Sequence, residues 1–266
     1  MPEEVAAQLR AGRVIFVGGL MKQLAEAVSA LVAQPIGYGG YFDEQRTALE
    51  AQGIDAIELD ADSEGSISTN AVEVARAIGA APGPVTLVTH SKGSLDALDA
   101  LVANPALAPT RMQAWVSLQG PFYGSPLADL NSGDPLVRAL TGYLLEKGFG
   151  GSPDTLLELR VSARRIYQRA NAAAIRDVIR AVPTVCYGSY LTDEMPSLFR
   201  LTWLICRFAG EPRNDGLVGV PSTQLAGAIR VDEAGVDHAM AVIEVPGTRP
   251  FDPATCLTAL LAIALG

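Results

Sequence analysis

Histidine is nearly missing from this chain. Of 266 residues only His90 and His238 are histidines, and only Cys186, Cys206 and Cys256 are cysteines. So small a supply, with no metal-ligand spacing, argues against a zinc-type site. The odd, widely spaced cysteines suit buried thiols better than a disulfide framework, a single disulfide being the alternative. Basic residues are also short, 20 against 29 acidic, for a formal net charge of -9. Nucleic acid needs a basic footprint, so it is excluded as a partner, and an anionic membrane surface gains no attraction. No apolar run is long enough to span a membrane; the one over 201–206 stops at Arg207. The opening residues M-P-E-E-V-A-A-Q lack the basic-then-apolar pattern of a signal peptide. A cytoplasmic protein is therefore expected, with a secreted mature form as the alternative.

What remains is apolar and regular. Hydrophobic residues make up 49% and charged residues 18%, which rules out a disordered chain and allows one large α/β domain over 1–266. Strands are predicted over 13–19, 54–59, 85–89, 112–118, 183–187 and 228–231. Helices are predicted over 21–33, 42–52, 69–78, 135–147, 153–182, 197–208 and 253–265, with another after Gly93. Strands alternating with helices imply βαβ units and a mostly parallel central sheet flanked by helices. The stretch 130–181 carries no strand pattern and reads as a helical insertion. Its long helix has an apolar stripe of Leu159, Ala163, Ile166, Ala170, Ala174, Val178 and Val182, and its arginines are expected on a solvated face.

One stretch concentrates the chemistry. In P-V-T-L-V-T-H-S-K-G-S-L-D-A-L, residues 84–98, a buried-strand pattern gives way at Gly93 to apolar residues at helical spacing. Ser91 sits at the abrupt change. T-H-S-K-G is close to G-x-S-x-G, the turn that lifts a serine hydroxyl above a sheet. The positions two before and two after must be small, since strand and helix nearly touch there. Gly93 obeys, whereas Thr89 is expected to crowd the turn. The bland reading is an ordinary strand-turn-helix with a capping serine.

A serine nucleophile needs a base, and the base needs an acid to fix its tautomer. His90 is adjacent in sequence and is expected to pack or orient, which leaves His238, after the last strand. For the acid, Asp215 in R-N-D-G-L-V-G-V-P-S comes in the right chain order, with Asp193 in Y-L-T-D-E as its rival. Asp237 is awkwardly next to His238. The Gly18-Gly19 pair lacks the G-x-G-x-x-G phosphate pattern. It fits a donor loop in which the main-chain N–H groups of Leu20 and Lys92 form an oxyanion hole.

The pieces V-I-F-V-G-G-L, T-H-S-K-G-S-L-D-A, G-P-F-Y-G-S-P-L-A-D, N-D-G-L-V-G-V-P-S and V-D-H-A run in order from Val14 to Ala239. Together they resemble the α/β-hydrolase superfamily, and within it bacterial lipases and lipase-like serine esterases. The resemblance implies Ser91 as nucleophile, Asp215 as acid, His238 as base, Leu20 and Lys92 as the oxyanion hole, and 130–181 as a cap or lid. It also implies a small-molecule ester or lipid substrate and no cofactor. Three positions depart from it: Gly18 stands for the usual histidine, Thr89 for the usual glycine, alanine or serine, and Met240 for the aspartate of calcium-binding relatives. No structural calcium is therefore expected. The same constellation suits an acyltransferase, or a non-catalytic binding module on the same fold. A cluster of Leu144, Leu145, Phe149, Leu156 and Leu157 is the expected acyl-chain contact, the alternative being that these residues form the insertion's own core.

Overall fold

A computed structural model describes residues 1–20, 40–62, 65–130, 153–197, 199–243 and 251–266. The helices expected over 21–33 and 135–147, and with them Leu144, Leu145 and Phe149, lie outside the described residues. Six parallel strands form one sheet in the order β2-β1-β3-β4-β5-β6. They are β1 (Arg13–Val17), β2 (Ala56–Leu59), β3 (Val85–His90), β4 (Met112–Leu118), β5 (Thr184–Tyr190) and β6 (Ile229–Ala234). The central strands read V-T-L-V-T-H and M-Q-A-W-V-S-L, and all six residues of β3 are buried. A strand buried on both sides needs helices on both faces. Helices Ile67–Ala80, Lys92–Ala103, Leu107–Arg111 and Ala172–Ala181 make one layer. Helices Glu3–Arg10, Asp43–Glu50 and Pro253–Leu265 make the other.

Local chemistry explains where the helices start. Ser66 Oγ accepts from Thr69 N at 3.1 Å, and Asp252 Oδ1 accepts from Thr255 N at 2.9 Å ahead of Pro253 in the first turn. No described helix is long and apolar enough to cross a membrane. All three cysteines are free, and burial pushes the Cys186 thiol up to about 12.

The long helix expected over 153–182 is three helices, Pro153–Glu158, Val161–Ala170 and Ala172–Ala181. Arg160 is extended (φ -61, ψ 141) and Asn171 leaves helical geometry (φ -107, ψ 14). Each break resets the phase of the apolar stripe. Ile166, expected inside, is 67% exposed, while Arg164, expected in solvent, is 4% exposed with its guanidinium 4.2 Å from the centre of the Tyr167 ring. The helix Ala172–Ala181 packs on Lys92–Ala103 and Leu107–Arg111, so the end of the presumed insertion belongs to the layer flanking the sheet.

Candidate active site

Parallel strands deliver their C-terminal ends to one edge, where loops meet. In register, Val17 of β1 pairs with Thr89 of β3, Thr89 with Ser117 of β4, and Leu118 with Tyr187 of β5. Ser91 follows β3 at that edge with φ 53 and ψ -129, a left-handed backbone that a non-glycine residue adopts only under constraint. Close packing supplies the constraint. A Cβ on Gly93 would lie 2.4 Å from the carbonyl oxygen of Val17, so only glycine lets β1 and the helix Lys92–Ala103 meet. A Cβ on Gly19 would lie 2.8 Å from Ser91 Cβ and 3.1 Å from Lys92 N. The segment leading to Leu20 therefore abuts the turn that carries Lys92 N–H.

Thr89 does not crowd the turn. Its hydroxyl is used: Trp115 Nε1 donates to Thr89 Oγ1 at 3.0 Å, and Thr89 Oγ1 lies 2.8 Å from Ser94 Oγ. Ser117 Oγ donates to Ser94 Oγ at 2.9 Å. The β-branched residue thus sits in a buried hydroxyl chain that joins β3, β4 and the helix behind the serine.

Ser91, His238 and Asp215 come together in one hydrogen-bonded line. Ser91 Oγ is 2.9 Å from His238 Nε2, and His238 Nδ1 is 2.7 Å from Asp215 Oδ2. The acid is held from behind, since Asp215 Oδ1 accepts from Leu217 N at 2.9 Å and Val218 N at 2.7 Å. His238 N donates to the Asp215 carbonyl at 3.0 Å, which pins the two loops to each other. An acceptor-only carboxylate at Nδ1 requires the proton there, and Nε2 is then free to accept from the Ser91 hydroxyl. Asp215 and His238 are both fully buried.

The structure does not bring Asp193 to His238. Asp193 is solvent-facing and ion-paired with Arg207 at 2.8 Å. Asp237, next to the histidine, serves the turn instead: its Oδ1 accepts from Ala239 N and Met240 N, both at 3.0 Å, and its Oδ2 from Ser197 Oγ at 2.7 Å. Burial raises its carboxyl above the ordinary value. Met240 is buried in the core. Gly18 lies under a ring, for a Cβ there would be 3.2 Å from Tyr41 Cε1.

Sequence reasoning missed the Lys92 side chain. It is buried and donates to Asp96 Oδ1 at 3.0 Å, with Asn70 Nδ2 donating to Asp96 Oδ2 at 3.0 Å. Burial outweighs the lysine and pushes the Asp96 carboxyl up to about 6. The spacing of Lys92 and Asp96, one helical turn, was the available signal.

An apolar pocket with a cavity volume of about 50 Å³ opens on Ser91 and His238. Leu20, Leu127, Leu156, Leu159 and Leu217 are among its walls. Leu156 is in the lining, whereas Leu157 is 44% exposed and is not.

No protein-family model matches this sequence, and no curated protein is similar to it. Solved structures are. A metagenomic carboxyl esterase superposes with a TM-score of 0.73 at 23% identity, over 96% of this chain and 76% of that one. The mature form of a Bacillus licheniformis lipase gives 0.64 at 19% identity, over 86% of this chain and 85% of that one. Lipase 1 from Pelosinus fermentans gives 0.52 at 12% identity, over 96% and 97%. The chain shares their fold, the α/β-hydrolase sheet flanked by helices.

Proposed function

We propose that this chain is a serine carboxylic-ester hydrolase. The observation that carries the reading is the buried line from Ser91 Oγ through His238 to Asp215, starting from a serine with φ 53. The structural likeness to carboxyl esterases and lipases agrees with it.

The chemistry follows from the donors and acceptors. His238 Nε2 takes the Ser91 proton as the hydroxyl attacks the ester carbonyl, and Asp215 stabilises the imidazolium that forms. Leu20 and Lys92 N–H groups receive the oxyanion. His238 then gives the proton to the departing alcohol, leaving an acyl group on Ser91. Water, deprotonated by the same histidine, releases the acid. Every proton is carried by His238, and the reading calls on no cofactor. The leucine-lined pocket suits the acyl part of an ester or lipid, and of the stretch 130–181 Leu156 and Leu159 are the residues that would serve as its cap over that chain.

The test is a series of p-nitrophenyl esters from acetate to palmitate, together with a fluorophosphonate label. Turnover with label on Ser91 is expected. A chain that neither turns over nor takes the label is a binding module. Products dominated by transfer to an added alcohol, with little free acid, make it an acyltransferase.

A further inference from the structure

The line from Ser91 to Asp215 leaves a second set of buried polar groups unexplained. His90, the residue before the serine, is fully buried, and its ring lies against His238 with centroids 4.6 Å apart. Its Nε2 is 2.9 Å from Gln119 Oε1 and 3.0 Å from the carbonyl oxygen of His238. A carbonyl only accepts, so Nε2 carries the hydrogen. Nδ1 is then an acceptor, and its partner is the Tyr41 hydroxyl. Tyr41 Oη in turn accepts from Gly19 N–H at 3.2 Å. On the other side, Gln119 Nε2 donates to Ser189 Oγ and, at 3.0 Å, to the Asp237 carbonyl. With Nε2 of His90 as donor, the donor and acceptor roles fit in only one direction along the chain.

The network costs something to build. Gln119 is a non-glycine residue at φ 53, a conformation that L side chains rarely adopt. Its side chain reaches both His90 and the loop before His238 from that position. Burial, joined by the charge His238 would carry, holds His90 well below its ordinary value. A neutral ring beside His238 does not oppose the positive charge that arises there when Ser91 gives up its proton.

We propose that Tyr41, His90 and Gln119 are positioning residues that tie the oxyanion-side segment at Gly19 to the loop carrying His238. The proposal rests on the ester-hydrolase reading for its effect on rate. The two halves of the site come from segments 218 residues apart in sequence, Gly19 and Asp237, and this network bridges them through hydrogen bonds. Its members need not touch substrate. They fix the main-chain groups on either side of the reacting atoms, where a shift of about 1 Å can lower the rate about a hundredfold.

The experiment compares Tyr41→Phe, His90→Phe and His90→Gln with the parent by ester kinetics, thermal denaturation and ¹⁵N-detected imidazole spectra. Phenylalanine keeps much of the volume and removes the hydrogen bonds, while glutamine keeps a donor and an acceptor. Tyr41→Phe and His90→Phe should lower kcat about 10- to 100-fold with KM within about threefold. His90→Gln should recover most of the loss. The spectra should show His90 still protonated at Nε2 alone where a free imidazole is already protonated on both nitrogens, and His238 ring signals displaced in Tyr41→Phe. A kcat within twofold of the parent in Tyr41→Phe overturns the proposal. So does equal damage in His90→Phe and His90→Gln, or a rate loss that follows only the fraction of protein unfolded. The spectra separate this inference from the one beneath it. A parent that hydrolyses no ester, yet whose His238 signals move in Tyr41→Phe, keeps the positioning network and loses the esterase; unmoved signals lose the network.

Discussion

Behind Ser91 the chain buries hydroxyls, an imidazole and an amide, each joined to a partner: Trp115 to Thr89 to Ser94, and Tyr41 to His90 to Gln119. In front of it the lining is leucine, with Leu20, Leu127, Leu156, Leu159 and Leu217 around the pocket. The rear wall has directional bonds that fail when one partner is lost, because an orphaned buried polar group costs about 1–3 kcal/mol. The front wall has contacts that scale with area and tolerate exchange. A site divided in this way assigns catalytic geometry to one side and substrate size to the other. Changes behind the serine should act on kcat, and changes in front on KM and acyl preference.

The sharpest break is Ser91→Ala. Ester hydrolysis should fall by a factor on the order of 10⁴–10⁶ while the fold is retained. Residual activity within tenfold of the parent would take the nucleophile elsewhere. Asp215→Asn comes next, with an expected loss of about 10²–10⁴ in kcat, since the amide favours the wrong histidine tautomer. Asp193→Asn should change kcat less than about threefold, because Asp193 pairs with Arg207 at the surface. A larger loss at Asp193 would reverse the assignment.

Asp96 sharpens the comparison through pH. Its carboxyl is raised to about 6, so the fold takes up a proton there before the unfolded chain does. The contribution of this group to stability is therefore fully present below its ordinary value and is lost as pH rises through about 6. The Asp96 contribution should grow, by about 2 kcal/mol, between about pH 7 and pH 4, so the stability of the parent relative to Asp96→Asn should rise over that interval. Urea denaturation at the two pH values reads it, and an equal change in parent and variant would discount Asp96. The smallest effect belongs to the front wall. Leu156→Ala should lower kcat/KM for octanoate about tenfold and for acetate less than threefold, whereas the exposed Leu157→Ala should leave the ratio unchanged. Identical ratios in both variants would remove the cap from the acyl pocket.

The strand, the turn at Ser91 and the loop of Asp215 were readable in the sequence, while the buried polar partners behind the serine were not. The run V-T-L-V-T-H followed by Gly93 marks strand, turn and helix because period and side-chain size are local properties. Asp215 is also local in character, lying in N-D-G, where the aspartate folds onto the N–H groups of Leu217 and Val218. The roles of Tyr41 and Gln119 depend on partners up to 118 residues away, as between Gln119 and Asp237, and no spacing rule reports them. The long helix over 153–182 was misread for a related reason. Arg160 and Asn171 interrupt it without a glycine or proline to announce the break. The phase error that follows put Ile166 inside and Arg164 outside.

Thr89 has a consequence for anyone redesigning this protein. Matching to the G-x-S-x-G pattern invites its replacement by glycine, as a repair of an imperfect motif. Here the threonine is the acceptor for the Trp115 indole and the neighbour of Ser94. Glycine would empty the space of a side chain and leave the indole N–H without that acceptor in a region closed to water. The apparent flaw and its surroundings are therefore a single replaceable unit: Thr89, Ser94, Trp115 and Ser117 would have to be exchanged as a set, and a consensus built one column at a time would offer the wrong trade.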